Sequence, residues 1–564
     1  MVLNIVDKLP ELLVPFSASF VPSAKMVFSK KKISSRRQKQ LLNAYAYVVE
    51  ATTRAETHKV FYAERYGGSG ILHNGGGGRC GIGNQLQVKG IGLTPLIGDG
   101  YDISQLDGKL TLQSAVCEIV WSRIFKNILP YGVVDIEHLL ALPSGGVEDE
   151  IYSLMLRSQH LRLAHFQRAI YFKSRLGGLA DAERVKVSVQ KLAAYLPYTK
   201  TGCALDRAGI GAMRDIRHGL FELVQRFLVQ YAELKIRRLV HTASPSNLTI
   251  EGRLLDFGTV DILPASESTT FVWDRELKNQ DMVLIAAIVD VAYNCEKYCA
   301  GCAGLTAEVR RDVQRLYAEK SKTILFSALL NLLGLDQGML SDGLNGRVVV
   351  ESITLLLEIE TARRFKAGDD GYLGGAKISS LGKVLLLIFF EEGSIAQLKR
   401  SLMSYVDSCA ADKLSSNKHN LRNELAEYCL LKGYRLESFL YFLNTSIVRA
   451  FQCREQIVVS QKMNEMLRYS NKPGRGDMSW IAHYVDEKVC EGDFLFGRSC
   501  FYEQIVWPAS PKIVYKGSDN LFIITIDGVT RTEGFDRMIT FGHLKAIAYD
   551  CYKFYLPWLV GVAR

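Results

Sequence analysis

Long apolar runs are what this 564-residue sequence lacks most clearly. The longest strongly apolar stretch, Val384 to Phe390, sits between Lys383 and Glu391 and falls far short of the roughly 20 residues that a membrane-spanning helix needs. No membrane partner is expected. The opening stretch MVLNIVDKLPELL places Asp7 and Glu11 inside its apolar part and shows no small-residue cleavage pattern, so no secretory leader is read there. With no leader and no compact disulfide framework, the 12 cysteines imply a reduced, soluble, cytoplasmic protein. Internal repeats and low-complexity tracts are also missing, and none of the 10 histidines stands at a metal-type spacing. The densest basic run, Lys30-Lys31-Lys32 with Arg36 and Arg37, contains no aromatic residue. It reads as a solvated turn or edge, and a nucleic-acid partner is not expected.

What is present is ordinary globular composition: 48% hydrophobic and 23% charged residues, with 69 Lys+Arg against 59 Asp+Glu and a net charge of +10. Such a chain is neither disordered nor fibrous, and its length implies about three or more units, each able to bury a core. Residues 45 to 130 are rich in glycine and short β-type runs. Helical periodicity begins near 113, where Val116, Ile119, Val120 and Ile124 recur at spacings of three and four. Residues 150 to 240 read as mainly helical, and Leu248 to Val260 as a short β-like interval turning at Gly252. Helical patterns then cover 282–299, 307–333, 348–364, 381–408 and 421–466. Residues 471–477 read as a loop. Strands are expected at 512–515 and 521–527 around the turn-like Gly517-Ser518-Asp519-Asn520.

Chemistry concentrates in two places. The stretch Gly75-Gly76-Gly77-Gly78-Arg79-Cys80-Gly81-Ile82-Gly83 precedes an alternating strand, Gln85 to Lys89. Glycines allow backbone amides to approach phosphate, and a lysine at a strand end supplies a point charge to its oxygens. A helix follows with Glu118 placed to pair with Lys89. Protein kinases use this strand-lysine and helix-glutamate logic. The second place is Ser246-Asn247 and, nine residues after Asn247, Asp256-Phe257-Gly258. An amide oxygen and a carboxylate across a short hairpin can converge on one Mg²⁺, which prefers oxygen ligands. A glycine-rich region alone is compatible with plain turns, as is Asp-Phe-Gly alone. The joint order of Lys89, Glu118, Asn247 and Asp256 is what points to ATP and Mg²⁺.

These residues together resemble the SelO (YdiU) family of kinase-like protein adenylyltransferases. Lys89-Gly-Ile-Gly-Leu-Thr-Pro95 is similar to the family's KGxGxTP signature, and Gly76-Gly77-Gly78-Arg79 to its preceding glycine-rich loop. Leu9-Pro10-Glu11 with Phe16-Ser17 resembles the family's N-terminal segment. Ser158-Gln-His160-Leu-Arg162-Leu-Ala-His165-Phe166 resembles its SHLRFGHFE block, and Asn279-Gln280 stands where the family carries NQP before a long helix. The resemblance covers roughly residues 9 to 290. It implies a nucleotide held in the reverse of the ordinary kinase orientation, so that AMP is transferred. It implies further that Lys89 and Glu118 form the phosphate-anchoring ion pair, that Asn247 and Asp256 hold Mg²⁺, and that Arg162 and Arg157 contact the phosphates beside the Gly76–Arg79 loop. The spacing from Arg157 to Arg162 is shorter than the family's, and the insert between Pro95 and Glu118 is longer.

The most informative departure is at Ser246. The family motif NTDN carries an aspartate base, whereas this chain has Ser244-Pro-Ser246-Asn247. A serine cannot take a proton as a carboxylate does. Three alternatives stay open: a nucleotide-binding pseudoenzyme or scaffold, a base elsewhere, or an acceptor that is already ionised. A carboxylate attacking the α-phosphate would give an acyl-adenylate without any base. That fits a divergent group within the family, the MchC and MceJ type. There the C-terminal carboxylate of a microcin precursor is activated for attachment of a glycosylated siderophore, with an acyltransferase-like maturation partner. The expectation is therefore an α+β, two-lobed, protein-kinase-like fold with a large helical C-terminal extension: a β-rich lobe at 1–130, a mainly helical lobe with the metal loop at 131–345, a helical extension at 346–470 and a small α/β segment at 471–564. Cys295-x3-Cys299-x2-Cys302 has iron–sulfur spacing, but it lies at the end of a helical pattern, where packing cysteines are the simpler reading. His165 and His241 read as structural.

Overall fold

The computed structural model describes residues 4–49, 57–68, 75–97, 107–142, 151–169, 179–197, 210–236, 239–258, 260–262 and 267–333, and, beyond those, 478, 480–486, 489, 504–507, 512–516, 521–526 and 528–534. The helical patterns expected at 348–364, 381–408 and 421–466 and the loop at 471–477 lie outside the described residues.

In chain order the first elements are α1 (Ile5–Lys8), β1 (Leu13–Phe20), β2 (Lys25–Ser29), α2 (Ser35–Tyr45), β3 (Tyr47–Val48), β4 (His58–Glu64), β5 (Cys80–Ile82), β6 (Leu86–Lys89), α3 (Leu112–Ile128), β7 (Ile136–Ala141) and β8 (Ser153–Ser158). There follow α4 (Asp181–Lys191), α5 (Ile210–Ile236), β9 (Leu239–Val240), β10 (Asp261–Ile262), α6 (Glu267–Tyr298) and α7 (Leu305–Leu333). Four strands come last: β11 (Gln504–Trp507), β12 (Lys512–Lys516), β13 (Leu521–Ile526) and β14 (Val529–Gly534).

The eight strands β1 to β8 form one antiparallel sheet in the order β2-β7-β8-β6-β5-β4-β1-β3. Side chains alternate between its two faces. Phe61, Ala63, Val88, Leu154 and Leu156 join Phe16, Leu41 and Tyr45 in a core on one face. The opposite face carries Glu64, Gln87, Lys89, Met155 and Arg157, the intervening positions of the same strands. Strand β6 is thus half apolar and half polar by design of its alternation, Leu-Gln-Val-Lys, and the polar half is still buried. Helix α3 lies against that polar face. Thr111 caps its N-terminus by accepting from the Ser114 amide at 3.2 Å. Val116, Ile119, Val120, Trp121, Ile124 and Phe125 are all buried. Burying each of the larger of these contributes about 1.5–3 kcal/mol, which holds the one carboxylate among them, Glu118, in place.

The strand Ser153–Ser158 corrects the mainly helical reading of residues 150 to 240. It sits in the interior of the sheet between β7 and β6 with both faces covered, so Leu154, Met155 and Leu156 follow one another without the alternation of a half-exposed strand. With Ile136–Ala141, it carries the sheet well past residue 130. The helical periodicity expected from near 113 forms as α3, and the helices expected at 282–299 and 307–333 form within α6 and α7. Helices α4 to α7 share one core with α3, through Leu220, Phe227, Ile288, Val291 and Val313 among others. The expected hairpin of 512–527 forms as β12 and β13, inside a four-stranded antiparallel meander. The mixed α+β class is what the fold establishes.

Candidate functional site

Asp256 is the hub. One of its carboxylate oxygens accepts from Lys89 Nζ at 2.8 Å and from Arg157 Nη1 at 2.7 Å; the other accepts from Arg162 Nη1 at 2.9 Å. Lys89 Nζ also donates to both Glu118 oxygens, at 2.7 and 3.0 Å, and Arg157 Nη1 lies 3.9 Å from the nearer of them. The Lys89 and Glu118 side chains are only 4% and 3% exposed. A buried pair of this kind contributes little net stability, yet removing one partner strands the other at a cost of roughly 3–5 kcal/mol. Burial alone would push the Asp256 carboxyl up, but Arg157, Lys89 and Arg162 hold it well below the ordinary carboxylate range.

The sheet supplies two of these cations through its register. Lys89 on β6 stands opposite Met155, and Gln87 opposite Arg157, so lysine and arginine project from adjacent strands on the same face. Asp256 is delivered from the other side by a strained turn. It is the only described non-glycine residue with positive φ, at 62°, a conformation that costs of order 1–3 kcal/mol and persists only where its surroundings fix it. They do so on both sides. Leu255 donates its amide to the Asn247 carbonyl at 3.2 Å and its carbonyl meets His241 Nε2 at 2.8 Å. Phe257 packs edge-on against Phe125 of α3, with ring centroids 5.2 Å apart. Burial keeps His241 neutral by lowering its pKa. Gln280 donates to the His241 carbonyl at 2.7 Å, tying the loop to α6. His241, read from sequence as structural, thus holds the loop.

The seven residues from Lys89 to Pro95 have a physical explanation. Gly90 and Gly92 adopt φ of 92° and 101°, and a Cβ on them would lie 2.5 Å from the Ser153 carbonyl oxygen and 2.7 Å from that of Val49. Thr94 donates its hydroxyl to the Gly77 carbonyl at 2.8 Å and its amide to the Gly78 carbonyl at 3.0 Å, while Gly90 donates to the Arg79 carbonyl at 2.9 Å. The segment thus clasps the glycine-rich loop from below. Gly76, with its would-be Cβ 2.2 Å from the Glu64 carbonyl oxygen, lies against β4. The loop runs through Gly77, Gly78 and half-exposed Arg79 into Cys80, which pairs directly across from Lys89.

Two residues not singled out from sequence complete the site. Gln87 bridges Glu64 and Arg157, donating its amide to a Glu64 oxygen and accepting from Arg157 Nε. His165 stands beside Glu64. Its Nδ1 accepts from the Arg162 amide at 3.0 Å, and its Nε2 lies 3.5 Å from Glu64 Oε1 without a hydrogen bond between them. Burial, with Arg162 and Arg184 nearby, depresses the His165 pKa well below normal, which keeps the ring neutral. Burial pushes the Glu64 carboxyl up, against the pull of Arg162 and Arg157. Arg162 also donates to the Ser246 carbonyl and lies over the Tyr66 ring, 5.1 Å from its centroid. The polar alternation of Gln87 with Lys89 was the available signal; nothing in the sequence around Glu64 marks it.

Asn247 Nδ2 donates to the Thr242 carbonyl at 3.1 Å, which turns Oδ1 toward the Ser246 side, where the Ser246 hydroxyl lies 3.5 Å away. The backbone hydrogen bond from Leu255 to Asn247 ties the Asp256 turn to the Asn247 loop, and an amide oxygen and a carboxylate are the donor types a hard divalent cation takes. No group of three or more His, Cys, Asp or Glu placed to hold a metal ion occurs among the described residues. Ser246 offers no base: its hydroxyl is 2.8 Å from that of Ser244. Three cations, Lys89, Arg157 and Arg162, thus face the carboxylates of Asp256 and Glu118, with Glu64 held behind Arg157 through Gln87. Among the described residues no helix is long and apolar enough to cross a membrane. In comparisons with known proteins, no family model and no curated protein matches the chain.

Proposed function

We propose that the protein is an ATP- and Mg²⁺-dependent adenylyltransferase acting on a peptide or protein, with a carboxylate as the group that accepts AMP. The observation that carries this reading is the convergence of Lys89, Arg157 and Arg162 on Asp256, with Glu118 behind Lys89 and Asn247 beside the Asp256 turn. It is the constellation that the SelO resemblance implies. Lys89, Arg157 and Arg162 bind the triphosphate and neutralise charge as pyrophosphate departs. Asn247 and Asp256 hold Mg²⁺, which supplies further charge neutralisation at the phosphates. Glu118 fixes Lys89. The acceptor oxygen attacks the α-phosphorus, the bond to the bridging oxygen breaks and pyrophosphate leaves. A serine at 246 cannot deprotonate a hydroxyl acceptor, and a carboxylate needs no such help. The terminal carboxylate of a peptide, as in siderophore-microcin maturation, is the narrowest form of this proposal, with a partner protein passing the activated acyl group on.

The test follows label from ATP. With the α-phosphate labelled, a candidate peptide should acquire AMP, or labelled pyrophosphate should exchange into ATP only when the carboxylate is present; Asp256→Asn should abolish either signal. Transfer of γ-label would instead make the protein an ordinary kinase. ATP binding with no transfer or exchange in the presence of peptide and partner would leave a nucleotide-binding scaffold.

A further inference from the structure

The α6–α7 connection gathers three cysteines that the proposed reaction does not use. Cys295 lies in the last turn of α6, Cys299 just beyond its end and Cys302 before α7 begins, and all three thiols are free. Cys295 and Cys302 are fully buried; Cys299 is half-exposed. The neighbouring Cys295 and Cys302 thiols lower the Cys299 pKa, whereas Cys299, together with burial, raises that of Cys295. The backbone decides which pair can join. The Cys302 amide donates to the Cys299 carbonyl at 3.4 Å, with Gly301 between them at φ 76°. A turn of this form brings its end Cα atoms within about 7 Å, overlapping the roughly 4.4–6.8 Å of a disulfide. Cys295 and Cys299 are instead related by one helical turn, the Cys299 amide donating to the Cys295 carbonyl at 2.8 Å. Side chains so spaced have Cβ atoms about 5–6 Å apart, wider than the roughly 3.5–4.5 Å a disulfide needs.

We propose that Cys299 and Cys302 form a peroxide-reactive dithiol site, with the partly exposed Cys299 as the attacking thiolate and Cys302 as the resolving thiol. The Cys299 thiolate attacks one peroxide oxygen; the O–O bond breaks and hydroxide leaves, taking up a proton as water. The resulting sulfenic acid is attacked by Cys302, the S–O bond breaks, the S–S bond forms and a second water departs. The two thiols give up two electrons and the peroxide takes them. Glu296 accepts from the Gly304 amide at 3.0 Å and the Thr306 amide at 2.9 Å, holding the start of α7 in place while the bond closes.

Trypsin separates the candidates, because cleavage after Lys297 leaves Cys295 on one peptide and both Cys299 and Cys302 on the next, residues 298–310. After the native full-length protein is treated with stoichiometric hydrogen peroxide, the 298–310 peptide should be lighter by two hydrogen atoms and regain them on reduction. In untreated protein, iodoacetamide at neutral pH should label Cys299 at least about tenfold faster than Cys295 or Cys302, as exposure and thiolate character dictate. A cross-link between the two tryptic peptides, oxidation of Cys299 to sulfinic acid with Cys302 still free, or no change in either peptide would overturn the assignment. In Cys302→Ser, Cys299 should stop at the sulfenic acid, trapped by dimedone; a disulfide persisting in that variant would equally refute it.

Discussion

At the level of single residues, the proposed function gives Asp256 two competing sets of partners. Its oxygens pair with Lys89, Arg157 and Arg162, so on that proposal a metal would have to displace at least one of them, and a triphosphate would compete with Asp256 for the same cations. Phosphate and metal would then assist one another, each freeing the other's partner. Removing the carboxylate separates these effects. Asp256→Asn leaves two buried arginines short of an acceptor, so inorganic triphosphate without Mg²⁺ should raise its thermal midpoint more than it raises that of the wild type. With Mg²⁺ added the order should invert, because only the wild type gains a metal ligand. Equal shifts in both proteins under both conditions would mean that the triphosphate binds elsewhere. Lys89, Glu118, Asn247 and Asp256 were legible as residues because their order along the chain carries the pattern. Gln87 and Glu64 were not, since a glutamine and a glutamate on strands are unremarkable until the register sets one between Arg157 and the other.

Elements matter here through the way one loop is shaped by another. The glycine-rich loop has no rigid element of its own between Gly75 and Arg79; its carbonyls are held by Thr94 and Gly90. Gly90→Ala meets a left-handed backbone and a carbonyl oxygen 2.5 Å from its new Cβ, a change expected to cost roughly 1–3 kcal/mol. Thr94→Val removes the shorter of the two hydrogen bonds to the buried Gly77 carbonyl, leaving only the Cys80 amide at 3.5 Å, at a cost of about 0.5–1.5 kcal/mol. Chemical denaturation should show both losses, and the Thr94 variant, which leaves Lys89 and Asp256 untouched, should also bind nucleotide more weakly. Unchanged nucleotide affinity in Thr94→Val would show that the loop needs no clasp. The strand Ser153–Ser158 is the element that the sequence concealed. Burial on both faces erased the period of two, and with it the placement of Arg157 beside Lys89.

Over the whole molecule, the site is a junction: the sheet contributes Glu64, Gln87, Lys89 and Arg157, α3 contributes Glu118, and the segment tied to α6 through Gln280 contributes Asp256. Global stability should therefore report on its buried charges. The Asp256 pKa is depressed, so its contribution is present above the unfolded-state value of about 3.9 and is lost as pH falls below it. Glu64 runs the other way: its pKa is raised by burial, so its contribution is present below about pH 4.3 and fades as pH rises through the folded value. Glu64→Gln, which cannot ionise, should accordingly gain stability relative to the wild type as pH is raised from about 4.3 toward neutrality. Denaturant midpoints for the two proteins across that range measure the difference; parallel curves would show that Glu64 is ionised in the folded protein throughout.

By itself the sequence determined the chemical inventory: a glycine-rich loop, a strand lysine, a helix glutamate and an Asn247–Asp256 pair in an order that implies phosphate and metal chemistry, along with α3, the helical patterns that form within α6 and α7, and the β12–β13 hairpin. Local periodicity and motif spacing suffice for those, because they depend on neighbours a few residues away. Only the tertiary structure decided that three cations share one carboxylate, that Arg157 reaches it, and that Gln87 and Glu64 brace Arg157 from behind. Those facts rest on strand register across residues 64, 87 and 157 and on a left-handed turn at Asp256 held from two sides. Contacts between residues so far apart in sequence exist only once the sheet has closed.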